Sequence, residues 1–178
     1  MSILRWLGLA PEDEPEADRD AVRRIVAQLE AMEPASARRL ALFAFLLARV
    51  ANVDLDIGPA ETDEMERLAI EHGHLSPAQA ALVVDIAKAE HRLLGSTHDF
   101  LAAQEYRDLS TEEERRDLVR CMFAVAAADR SISTPEEEEI RVVSRTLLVD
   151  DREYLAIRAG YSGLRAVMQG RPRGGGTA

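Results

Sequence analysis

The sequence predicts an all-α protein, a compact bundle of about seven or eight helices built on a duplicated helix-loop-helix unit with pseudo-two-fold symmetry. Three observations lead there. The 178 residues are 47% hydrophobic but only 4% aromatic, and alanine, leucine and valine dominate the apolar set; alanine and leucine are strong helix formers. No segment alternates apolar and polar residues with period two, so no strand is expected. One loop pattern is also written twice. "NVDLDIGPAETDE" carries Asp54, Ile57 and Glu61, and "AAADRSISTPEEEE" carries Asp129, Ile132 and Glu136, each 75 positions after its counterpart (129−54, 132−57, 136−61).

The elements follow in order. "SILRWLGLA" is a short apolar segment with the single tryptophan, Trp6, and "PEDEPEAD" an acidic linker broken by proline, so residues 1–17 are set apart. A helix begins near Asp18 or Asp20, with Val22, Ile25, Val26, Leu29 and Met32 at three- and four-residue spacing. Pro34 and Ser36 end it and open "ARRLALFAFLLARVANV", apolar almost all round and therefore central. Residues 60–72 form a helix with Met65, Leu68 and Ala69 inward and Gly73 as its stop. Ser76 caps the next, with Pro77 at its first position. "GSTH" breaks that helix, and a short one follows around 98–108. Ser110 or Thr111 caps "STEEERRDLVRCMFAVAAA", the second apolar helix. After the second loop come "PEEEEIRVVSRTLL" and "DDREYLAIRAGY", where Asp150 and Glu153 have capping-box spacing. The domain spans 18–165, and the "GRPRGGGTA" end of 166–178 has no means of ordering itself.

Composition narrows the function. A net charge of −10 repels a phosphate backbone, which excludes nucleic acid and suits a cationic partner or a metal ion. Cys121 is the lone cysteine and lies in an apolar run, so it reads as a structural thiol of a reducing compartment, the cytoplasm by default. The apolar central helix is too short for a membrane span, which needs about 20 residues. The N-terminal segment has only Arg5 for a membrane surface, which favours fold-back or a protein partner over lipid.

The register of 75 also matches Val50 with Val125, Ala51 with Ala126 and Glu64 with Glu139. Neither unit alone can bury its apolar face; two packed together can. Ile57 and Ile132 read as core plugs that pin the loops. The glutamates suit helix N-termini, with Thr134 as cap, Pro135 at N1 and Glu137 at N3. Each aspartate, by contrast, follows the last turn of an apolar helix, where the dipole disfavours an anion. Two explanations stay open: the aspartates cap the next helix, or they bind a divalent cation with the glutamates. Carboxylates alone suit calcium or magnesium better than zinc. The loops are not EF-hands, because early ligand positions fall on Val50 and Asn52, or on Val125 and Ala127, and the glycine position is Leu55 or Arg130.

"VAAADRSISTPEEEEI" and "VANVDLDIGPAETDEM" resemble the signature of the TerB-like family, which includes the tellurite-resistance protein TerB and the N-terminal domain of the DjlA-type co-chaperone. The resemblance covers roughly residues 18–165 by element order and is specific around the two loops. It implies an all-α fold, an acidic surface where the loops meet, and a non-catalytic accessory or stress-response role with a protein partner. The family's acidic positions fall on Asp54, Glu61, Asp129 and Glu136, which are the candidate metal ligands. The glycine expected after each aspartate is missing. No His-Pro-Asp motif is present, so there is no J-domain.

Two other readings remain beside it. One is a protein-interaction scaffold without metal. The other is a helical metal-dependent phosphohydrolase of HD type, whose ligands would be His74, His98, Asp99 and Asp129; little downstream completes that motif. Glu71 with His74 gives one Glu-x-x-His half of a di-iron pattern, which needs a second such half and two further acids.

Overall fold

The computed structural model describes residues 16–51, 59–90, 99–128 and 130–165. Among them are eight α-helices: α1 Glu16–Glu30, α2 Pro34–Ala51, α3 Pro59–Gly73, α4 Pro77–Glu90, α5 Asp99–Leu109, α6 Glu112–Ala126, α7 Thr134–Thr146 and α8 Asp151–Gly160, followed by a 3₁₀ turn, Ser162–Leu164. The apolar segment at 1–15, both aspartates of the twin loops and the 166–178 tail lie outside the described residues. The only extended pairing among those described is one bridge, Ile132 with Arg165.

Proline and the caps set the helix starts. Pro34, Pro59 and Pro77 each occupy the first position of a helix and Pro135 the second of α7, where a missing N–H costs nothing. Glu33 caps α2, accepting from the N–H groups of Ala35 (3.0 Å) and Ser36 (2.8 Å). Ser76 and Gln79 cap α4 reciprocally, and Thr111 and Glu114 do the same for α6. At α8, Asp150 accepts from the Arg152 N–H, but Glu153 turns away to Arg116, so the expected capping box is not closed.

The α7 cap lies one residue earlier than the spacing suggested. Ser133, not Thr134, is the N-cap, and Glu136, not Glu137, closes the box. The end of α3 also differs from expectation. Gly73 belongs to the helix, and the left-handed residue is His74, with φ 52°. Gly73 is needed for another reason: a Cβ there would come within 2.9 Å of Phe43 Cζ, and the Phe43 ring is buried.

The centre is α2 packed on α6. From Leu40 to Ala48 every residue of α2 is buried, as are Cys121 to Ala126 of α6. Around this pair, α3 lies against α6 and α4, α5 against α2, and α7 against both central helices. The Cys121 thiol gives its hydrogen to the Leu68 carbonyl at 3.8 Å, and burial pushes it up to about 12, so it is a packing group and not a nucleophile. Ile132 is fully buried, as expected of a loop plug, and its N–H bonds the Leu164 carbonyl at 2.8 Å. The second loop is thereby fastened to the end of the domain.

Candidate functional site

Two of the four acids picked out by the loop pattern, Asp54 and Asp129, lie outside the described residues, and Glu61 lies in the first turn of α3, where only the backbone is described. Glu136 is half-buried at the start of α7. Its Oε2 accepts the Ser133 N–H at 2.7 Å, while its own N–H reaches Ser133 Oγ at 3.3 Å. The carboxylate is thereby committed to capping the helix.

The flanks of the two loops come together. Arg49, near the end of α2, donates through Nε to Glu139 Oε1 at 2.7 Å, across 90 residues of sequence. Both side chains are half-buried. The exit of α2 into the first loop therefore lies beside the first turns of α7, where the second loop ends.

Arg130 follows Asp129 and has φ 68°, the left-handed region that costs an ordinary L-residue about 1–2 kcal/mol. The family signature writes glycine here, and the backbone still requires what glycine does easily. R130G should therefore be more stable than R130A by about 1 kcal/mol in urea unfolding, a comparison from which the arginine side chain's own contacts cancel. Equal stability of the two variants would contradict this account of the loop.

Behind the second loop sits an ion cluster. Glu137 receives Arg158 Nε at 2.7 Å and Arg165 Nε at 2.6 Å. Burial works to raise its carboxyl, but the hydrogen bonds from Arg165 and Arg158 outweigh it and hold the group below its ordinary 4.5. A carboxyl depressed in the folded state contributes stability above its unfolded value and loses it as pH falls through the folded one. E137Q should therefore cost roughly 1–2 kcal/mol near neutrality, and the gap to wild type should close as acid unfolding is followed below about pH 4.5. A gap that stayed constant with pH would mean the pair is not ionic in its effect.

Of the four ligands that a phosphohydrolase reading names, only His74 has a described side chain. His98 and Asp129 lie outside the described residues, and the Asp99 side chain is not described. His74 instead places Nδ1 at 2.9 Å from Asp117 Oδ2, while Arg120 donates to Asp117 Oδ1 at 2.6 Å. Asp117 is 5% exposed and is the main buried charge of the described core. No three His, Cys, Asp or Glu side chains among the described residues are grouped to hold a metal ion, and none of their helices is long and apolar enough to cross a membrane.

His74 and Asp117 border a groove of about 160 Å³ that motif reading did not anticipate. It gathers the first half of α2, the α3–α4 turn, Tyr106 of α5 and the start of α6. The twin loops leave from the other ends of α2 and α6, so the groove and the loop junction occupy opposite ends of the central pair. From Asp117 to Ala126 alone, α6 rises roughly 13 Å.

An all-α bundle whose two central apolar helices each run into an acidic stretch of sequence defines a class of compact helical modules. Residues 39–159, from α2 into α8, match the family "Tellurite resistance protein TerB", and the chain belongs to that family. Neither a curated protein nor a solved structure matches the chain at a significant level.

Proposed function

We propose that this protein is an accessory module of the tellurite-resistance, stress-response type. It works in the cytoplasm and binds a protein partner at the end of the bundle where its acidic loops leave. A divalent cation, calcium or magnesium, bridges the loops through Asp54, Glu61, Asp129 and Glu136. The single observation that carries this reading is the Arg49–Glu139 pair, which draws the flanks of both loops to one place. The two units, residues 36–72 and 111–147, are copies related by a near two-fold rotation. In support, α2 packs on α6, α3 crosses to α6 and α2 crosses to α7. A net charge of −10 steers cations and basic surfaces toward such a junction.

A second reading, a scaffold without metal, is favoured by two details of the same junction. Glu136 already caps α7, and Arg49 already neutralises Glu139. Capture of tagged protein from its native host separates the two. The cation-dependent module retains its partner with calcium or magnesium present and loses it with chelator, and D54N/D129N loses it in both. A partner held equally by all samples would establish the metal-free scaffold. A wild type that captures nothing reproducibly would count against both.

A further inference from the structure

We infer that the groove at the far end of the bundle is a second site, which binds a small zwitterion of α-amino-acid type, its carboxylate on Arg39 and its ammonium group on the acids of α6. The inference begins with the donor fork of Arg39. A guanidinium carries five N–H donors in a planar array that matches a carboxylate two at a time. Arg39 spends them on two long contacts among the described residues, NH1 to the Leu109 carbonyl at 3.4 Å and NH2 to Glu114 Oε1 at 3.3 Å. Its side chain is about one-third exposed and lines the groove. The fork is thus held in place by weak bonds while most of its donors remain for a ligand.

Opposite charge faces the same space. Glu114 and Asp117 both line it, from successive turns of α6. Glu114 Oε2 is committed to the Thr111 cap at 2.8 Å, leaving Oε1 shared only with Arg39 among the described residues. Asp117 is held by Arg120 from one side and by His74 from the groove side, and the His74 side chain is 65% exposed at the rim. A doubly charged phosphate would meet two carboxylates here. A simple cation would meet Arg39. A ligand with one charge of each sign satisfies both poles.

Size and walls agree with that class. A cavity of about 150 Å³ is enough for a molecule the size of benzene, and this groove has about 160 Å³. Leu40, Phe43 and Leu75 supply an apolar wall for a side chain. Phe43 is fixed against Tyr106, with ring centroids 6.3 Å apart, and Tyr106 gives its hydroxyl hydrogen to the Glu114 carbonyl at 3.2 Å, which keeps the floor rigid. Gly73 leaves Phe43 its position, because a Cβ there would come within 2.9 Å of the ring.

Thermal melting and calorimetry of the full chain with a panel of free L-amino acids at millimolar concentration test the inference. Acetate, methylammonium and inorganic phosphate serve as single-pole probes. A small apolar amino acid should raise the melting temperature saturably, with none of the three single-pole probes reproducing the shift. R39M should abolish the shift, and R39K, which keeps the charge but not the fork, should weaken binding at least tenfold, with helical content unchanged in both. D54N/D129N should bind the amino acid as wild type does, so this site stands or falls separately from the cation at the loops. No shift with any amino acid, a shift that survives R39M, or an equal shift with phosphate alone would overturn the inference.

Discussion

Ile132→Ala should lose about 2–5 kcal/mol of unfolding free energy, one of the two largest single-site losses expected in this protein. Ile132 is fully buried although it sits in a loop. Truncating it removes three methyl or methylene groups from the core and leaves a cavity that the anchored loop cannot collapse into. Its N–H is bound to the Leu164 carbonyl, so the backbone cannot drift to fill the space. Urea unfolding read by far-ultraviolet circular dichroism checks the value. A loss under 1 kcal/mol would mean that Ile132 is not the plug that the loop pattern requires. The expectation matters for function because Ile132 is three residues from Asp129, and a loosened plug loosens the acid. A cation that needs both loops should then bind more weakly to I132A, even where the variant remains folded.

Phe123→Ala should cost about 3–5 kcal/mol, of the same order as the whole stability of a marginal domain. The Phe123 ring is buried on α6 and stacks on Tyr161 at 5.5 Å and 13°, with Tyr154 tilted at 5.9 Å. Those two tyrosines join the Arg116–Glu153 pair in holding α8 and the turn after it to α6. Removing the ring takes away core volume and two aromatic contacts together. The damage should be directional: amides of α8 should exchange with solvent earlier than those of α2. Uniform loss of protection across the bundle would show that α8 is not hinged on this one ring.

Much of the bundle was legible because the signals were local. The Ser76 and Thr111 caps, the inward Met65, Leu68 and Ala69, and the all-round apolar α2 each depend on residues within a turn or two of one another. The α7 cap shows where locality ends. In "SISTPEEEE" both Ser133 and Thr134 have a glutamate three residues on, so two capping boxes are equally well written. Arg158 and Arg165, 21 and 28 residues downstream, help settle the register by taking Glu137 and leaving Glu136 to the cap. Local spacing carries no trace of those partners.

The groove was illegible for the same reason. Arg39, His74, Tyr106 and Asp117 come from three helices and a turn, and none stands in a recognisable motif. His74 stood in the sequence only as a ligand of an incomplete phosphohydrolase pattern, and its left-handed backbone, together with Asp117 on a neighbouring helix, gives it a position. The Arg49–Glu139 pair likewise has no local signature. The repeat of 75, by contrast, is written directly in the sequence, and its first loop lies outside the described residues.

The most direct test of the cation reading is thermal melting with calcium and, separately, magnesium, in wild type and in D54N/D129N. A ion that binds only the folded protein stabilises it by RT ln(1 + [L]/Kd), about 2.7 kcal/mol at a hundredfold excess over Kd. Wild type should show a saturable rise in melting temperature with at least one of the two ions. The double variant, with helical content intact, should show none. No rise in wild type, or equal rises in both proteins, would contradict a cation held between the loops and leave Asp54 and Asp129 as helix caps.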